Sequence, residues 1–271
     1  MPMLKNIFCS LLFLALFSCS NDSNDGDSCR MTSIMTLSSH IDDVPMANLY
    51  NPNFSGRLHF EYGGNNKIKK VYGGLRIYYN TSGQGPTITW RRDDSVVDSI
   101  TYHQDTIRVD CSSNGYDKPY VKKFVINNNQ LVYRSTLTNT YNTTYLYEYT
   151  YEYNGDTILE NLNGQLFRTF TMSNGNLVKI EQINRGGNGN IVGKKEMIYS
   201  NYDNAENLAK GKFFINGLLH KSFSANNYQS YEIIDYYYEN NEYVPGNTSY
   251  LNFIMSYDSD NLPIIFERNC S

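Results

Sequence analysis

Tyr145-Leu-Tyr-Glu-Tyr-Thr-Tyr-Glu-Tyr153 places tyrosine at every odd position and, after Leu146, a polar residue at every even one. Period two is the period of a β-strand, whose side chains point alternately to opposite faces. Tyrosine suits such a surface because its ring packs on the pleat while its hydroxyl reaches water or a partner. Asn154-Gly155 follows directly and supplies residues that tolerate positive φ, as a tight hairpin turn requires. Outward from this strand the same period recurs from Phe60 to Phe266, with no sustained helical period, and Asn174-Gly175 and Asn216-Gly217 read as further tight turns.

These turns belong to a degenerate repeat: a large apolar residue, a polar turn, then Leu or Ile. It occurs as Tyr62 to Ile68, Ile126 to Leu131, Tyr153 to Ile158, Met172 to Leu177, Tyr202 to Leu208 and Tyr257 to Leu262. Each unit reads as one hairpin, and the irregular spacing between units excludes a solenoid of identical rungs. The expected fold is all-β, a single antiparallel β-meander. A long sheet must curl to protect its edges, so a barrel or half-barrel is expected.

The chain divides into three parts. Residues 1–18 carry Lys5 and an apolar run from Leu11 to Phe17 too short for a permanent membrane helix, and read as a signal peptide. Leu16-Phe17-Ser18-Cys19 resembles the lipobox of bacterial lipoproteins, with Phe17 bulkier than usual, which implies a lipoprotein anchored through Cys19. Residues 19–28 include Asp22, Asp25 and Asp27 among small polar residues and read as an acidic flexible tether. Residues 29–271 form the expected antiparallel β domain.

The net charge of −4 and pI near 5.6 leave no basic footprint for nucleic acid. Cysteine use fits an oxidising compartment, and with Cys9 removed and Cys19 lipidated an odd set remains: Cys29, Cys111 and Cys270. A bond between Cys29 and Cys270 would join the first and last strands; pairing of Cys111 with either, or three thiols, stays open. His40, His59, His103 and His220 are scattered singly and no cysteines are closely spaced, so neither a metal nor a cofactor is expected.

The lipobox and tether, the start Cys29-Arg-Met-Thr-Ser-Ile, and hairpins such as Tyr151-Glu-Tyr-Asn-Gly and Tyr257-Asp-Ser-Asp-Asn-Leu resemble Bacteroidetes outer-membrane lipoproteins with degenerate tyrosine-aspartate (RHS-like) repeats. Some of these belong to a family of unknown function with a porin-like β fold. The resemblance implies such a fold and a place in the outer membrane, lipid-anchored on its periplasmic or cell-surface face. It implies no activity. The acidic tether resembles the surface-export signal of such lipoproteins. The motifs Asp94-Ser-Val, Asp98-Ser-Ile, Asp105-Thr-Ile and Asp156-Thr-Ile are similar to the O-glycosylation site of their exported proteins. A membrane-spanning barrel is not expected, because the strand faces are tyrosine and polar residues rather than aliphatic and the mean hydropathy is −0.52.

Two groups are candidates for ligand binding. The row Tyr145, Tyr147, Tyr149, Tyr151 and Tyr153, with Tyr147, Tyr149 and Tyr151 at its centre, could stack on sugars or instead pack inside the curled sheet. Trp90 and Arg91, in Trp90-Arg-Arg-Asp-Asp94, could stack on a sugar ring and hold a carboxylate, or form a charged turn. A second aromatic group, Tyr231 with Tyr236, Tyr237 and Tyr238, must place neighbours on opposite faces. Asp42, Asp43, Asp93, Asp94 and Glu160 are the carboxylates from which a glycosidase pair would be drawn. With no nucleophile elbow and no phosphate loop, no catalytic residue is assigned. The reading is a lipid-anchored envelope protein, a non-enzymatic binding or structural module for a glycan or another envelope protein. The alternatives are a carbohydrate-active envelope enzyme and a periplasmic carrier of an apolar ligand.

Overall fold

In the strands Arg57–Tyr62 and Thr157–Leu162 alternate residues turn inward, Leu58 and Phe60 in the first and Ile158 and Glu160 in the second, so each strand has one buried and one more exposed side. The computed structural model describes residues 30–35, 57–64, 66–73, 75–80, 87–92, 97–112, 120–140, 143–252 and 256–269. Its elements are β1 (Arg30–Met35), β2 (Arg57–Tyr62), β3 (Ile68–Gly73), β4 (Leu75–Asn80), β5 (Thr87–Arg92), β6 (Val97–His103), β7 (Thr106–Ser112), β8 (Tyr120–Asn127), β9 (Gln130–Thr140), β10 (Thr143–Asn154), β11 (Thr157–Leu162), β12 (Gln165–Ser173), β13 (Asn176–Arg185), β14 (Ile191–Tyr202), α1 (Leu219–Phe223), β15 (Tyr228–Glu239), β16 (Glu242–Asn252) and β17 (Phe266–Asn269).

Fifteen strands form one antiparallel sheet in the order β16 down to β6, then β3, β2, β1 and β17. The all-β meander expected from the sequence is observed, with two departures. β4 and β5 pair only with each other as a hairpin between β3 and β6, and β17 returns from the far edge to lie beside β1. The sheet does not close, since β16 and β17 remain its edges.

It does curl. Laid flat, fifteen strands would separate the two edges by about 67 Å. The chain from Asn252 to Phe266 reaches about 50 Å at most, and a turn bridging Tyr257 to Pro263 shortens it further. A single apolar cluster accordingly runs from Met31 and Ile34 on β1 through Phe170 and Ile180 to Tyr231 on β15 and Phe266 on β17.

In a meander the turns alternate between two ends. Five of the six repeat units of the sequence fall at one end, where the structure adds Tyr102 to Ile107, and the sixth, Tyr257 to Leu262, is tied to that end by the Tyr257 hydroxyl, which donates to Asp203 at 2.9 Å. The repeat has a physical purpose. Tyr62 donates its hydroxyl to the Met31 carbonyl at 2.7 Å, Tyr102 to that of Ile68 at 2.9 Å, Tyr153 to that of Leu131 at 3.0 Å, and Tyr202 to that of Leu177. Each ties the end of one strand to an earlier strand.

Between β14 and β15, at this same end, the chain leaves the sheet. Asn216-Gly217, expected as a hairpin turn, and Tyr202 to Leu208, expected as a hairpin unit, belong instead to a plug, residues 203–227, that fills the curl. A short turn cannot form here because the apolar run after Lys212 is drawn inward. Phe213, Phe214, Ile215, Leu218, Leu219 and Phe223 are all buried, each burial stabilising by about 1.5–3 kcal/mol. Phe214 packs edge-on against Tyr102 at 6.0 Å, while Phe223 meets Phe170 at 5.0 Å and Tyr151 at 6.4 Å. Asn207 braces the plug from within, donating to the carbonyls of Lys221 and Ser224 and accepting from the amide of Ala209. Asn216 docks it on the sheet, donating to Asp98 at 2.8 Å and to the Tyr120 hydroxyl and accepting from Lys122 at 2.7 Å.

Candidate binding face

The five tyrosines of β10 lie on one face, because the strand pairs without a register shift, with β9 as far as Thr150 and with β11 from Tyr149 onward. They do not share one environment. Tyr145 and Tyr147 are 43% and 38% exposed, Tyr149 is half-buried and Tyr151 is 6% exposed. The row therefore runs from solvent at the end opposite the plug's entry down to the core. The inner end of the row packs in the core, as one of the two readings expects, and the outer rings are open to solvent.

At the open end the rings of Tyr145 and Tyr147 lie 6.5 Å apart and only 16° from parallel. Deeper in, the Arg134 guanidinium sits 3.7 Å over the Tyr149 ring, and Phe167 approaches that ring at 6.2 Å. Tyr151 donates its hydroxyl to Glu160, which also accepts from Arg134 at 2.9 Å and from Arg168 at 3.4 Å. Arg168 donates in turn to Gln182 at 2.9 Å. The strand register makes this arrangement: Tyr151, Glu160, Arg168 and Gln182 face one another successively across β10 to β13. Glu160 is wholly buried, and the two guanidinium groups and the phenol take the place of water around its carboxylate. The inner half of the row is thus fixed, and the rings at its outer end stand on a rigid base.

Burial also governs the tyrosines that tie the hairpins. It pushes the Tyr153 phenol up to about 12 and raises those of Tyr62, Tyr102 and Tyr202. All are neutral donors at ordinary pH.

Glu160 is a structural ion partner and cannot serve a hydrolytic pair, because no face of its carboxylate meets solvent. Asp42, Asp43, Asp93 and Asp94 lie outside the described residues, as do Cys19, Cys29 and Cys270. Trp90 and Arg91 stand on β5 opposite Ile77 and Arg76. β3, from which the chain runs on to β4 and β5, ends on the same side of the meander as the β9 to β10 turn, and the side chains of Trp90 and Arg91 lie outside the described ones. Among the described residues no three His, Cys, Asp or Glu side chains gather to hold a metal. Inside the curl, apolar side chains of the sheet pack against those of the plug.

In the second aromatic group Tyr231 is buried, Tyr237 is exposed and Tyr236 and Tyr238 are half-buried. Sequence reasoning overlooked Arg134, Arg168 and Phe167. A signal existed for one: Arg168 stands two residues from Phe170, on the face the alternation assigns to the core.

No protein-family model matches the chain, and no curated protein matches it. Among solved structures it is similar to a porin-like protein from Bacteroides vulgatus ATCC 8482, with 13% identity and a TM-score of 0.41, over 79% of this chain and 92% of that one. It is also similar to a porin-like protein from Bacteroides uniformis ATCC 8492, with 9% identity and a TM-score of 0.35, over 74% of this chain and 90% of that one.

Proposed function

We propose that the chain is a lipid-anchored protein of the cell envelope, tethered to the outer membrane through Cys19, and that it acts as a non-enzymatic binding module for a glycan. The anchoring rests on the lipobox-like run ending at Cys19 and on the acidic tether behind it. The binding reading rests on one observation: Tyr145 and Tyr147 present near-parallel, exposed rings at the outer end of a row whose inner end is locked by Glu160. Rigid aromatic faces suit the apolar faces of sugar rings and lose little entropy on binding. On this reading Tyr147 contacts ligand, Tyr149 flanks it, and Tyr151 supports both from the core. Trp90 and Arg91 would add a second contact from the β4 to β5 hairpin.

The test is a glycan array probed with the detergent-solubilised full chain, alongside Tyr145→Ala and Tyr147→Ala. Capture of a defined glycan by the unaltered chain, lost in both folded variants, supports the reading. Absence of capture by folded protein, or capture that survives both substitutions, sinks it.

A further inference from the structure

We infer that Cys29 and Cys270 form a disulfide that fastens the first strand to the last. Both cysteines lie outside the described residues, and the inference rests on the ladder that ends beside them. β1 and β17 pair antiparallel, with Arg30 opposite Asn269 and Met31 opposite Arg268. Cys29 immediately precedes Arg30, and Cys270 immediately follows Asn269. A disulfide between them would extend this register by one residue. Facing residues of an antiparallel pair have Cα atoms about 4.5 or 5.5 Å apart, and disulfides span about 4.4–6.8 Å.

Cys111, the other candidate partner, is excluded by the sheet order. It sits buried on β7 opposite Tyr120, and β6, β3 and β2 separate β7 from β1. That is about 19 Å along the sheet, against a limit of about 7 Å for a bridge.

The bond has a mechanical reason. β17 has four residues and forms one edge of the sheet, where terminal strands fray unless tied down. Its formation requires a disulfide oxidant. One cysteine thiolate attacks the oxidant's disulfide, releasing a thiolate and leaving a mixed disulfide. The second cysteine, after losing its proton, attacks the protein sulfur of that mixed disulfide and releases the other thiolate. Two protons leave the protein, and the oxidant gains the electron pair.

The experiment oxidises the folded full chain with oxidised glutathione, alkylates remaining thiols, digests it without reduction and maps the peptides by mass spectrometry. Oxidation in vitro makes the outcome independent of the export reading. The expected result is a peptide containing Cys29 joined to one containing Cys270, retained in Cys111→Ser. Reductant should then lower the Tm of the unaltered chain and of Cys111→Ser by about 5 °C or more, and leave Cys29→Ser and Cys270→Ser unchanged. Recovery of Cys29 and Cys270 as separately alkylated thiols, or of either joined to Cys111, overturns the inference.

Discussion

The phenolic hydroxyl of Tyr153 donates to the carbonyl oxygen of Leu131 at 3.0 Å, although the two residues bracket turns of different hairpins. Tyr153→Phe keeps the ring and deletes the donor. Its expected cost is about 1 kcal/mol, read as a lower urea midpoint with an unchanged m-value. Tyr145→Phe, at an exposed ring, should shift the same midpoint by less than about 0.5 kcal/mol.

Alkaline pH should unfold the protein through these same phenols. A phenol with a pKa pushed up to about 12, by burial at Tyr153 and by partial burial and the Asp203 carboxylate at Tyr257, holds its proton more firmly in the folded chain than in the unfolded one. The unfolded phenols titrate near about pH 10, so this contribution is whole below that pH and drains away as pH rises toward 12. Thermal melts followed by circular dichroism from pH 8 upward should show a flat Tm that falls steeply above about 10. A Tm unaffected across that window would contradict the assignment.

Removing the counter-charge beneath the tyrosine row should be severe. Glu160→Gln leaves Arg134 and Arg168 facing a neutral amide in a water-free site, with an expected loss of about 3–5 kcal/mol. Glu61, whose pairs with Lys69 and Lys70 are partly exposed, gives the control: Glu61→Gln should cost less than about 1 kcal/mol. Equal effects in chemical denaturation would show that the Glu160 cluster is not the buried triad described.

Alanine substitutions along β10 should grade with depth. Tyr151→Ala removes a ring packed near Phe223 together with a donor to Glu160, at an expected cost of about 3–5 kcal/mol. Tyr147→Ala should cost less than about 1 kcal/mol. A uniform loss along the row would mean that the outer rings are also core.

The plug is expected to behave as core despite its irregular backbone. Phe223→Ala, which empties the space between Tyr151, Phe170 and Phe213, should cost about 3–5 kcal/mol.

The sequence made the antiparallel meander legible, and beyond it what could be read was local. Asn154-Gly155 and Asn174-Gly175 announce tight turns, and the positive φ values at Gly155, Asn174 and Gly175 are those turns. The same two letters at Asn216-Gly217 serve a different end, with Gly217 at φ 76° inside the plug and the Asn216 side chain on Asp98. A dipeptide reports a backbone angle and not the element that surrounds it. Helix α1 has five residues, too few for a 3.6-residue period to show. The depth of each β10 tyrosine was hidden for a related reason: alternation assigns a face, while the extent of the plug, which lies more than fifty residues later in the chain, decides how far along that face water is excluded.

The late position of the plug also sets an order of events. Tyr102 and the Asp98 to Lys122 network receive their partners Phe214 and Asn216 only after about a hundred further residues have been made, and β1 meets β17 only at the chain's end. A chain that emerges N-terminus first therefore carries its early strands with an unfilled interior and an unmated edge until almost the last residue is free. Such high contact order slows folding and exposes strand edges meanwhile. The finished molecule is one cooperative object whose first third has no independent reason to fold.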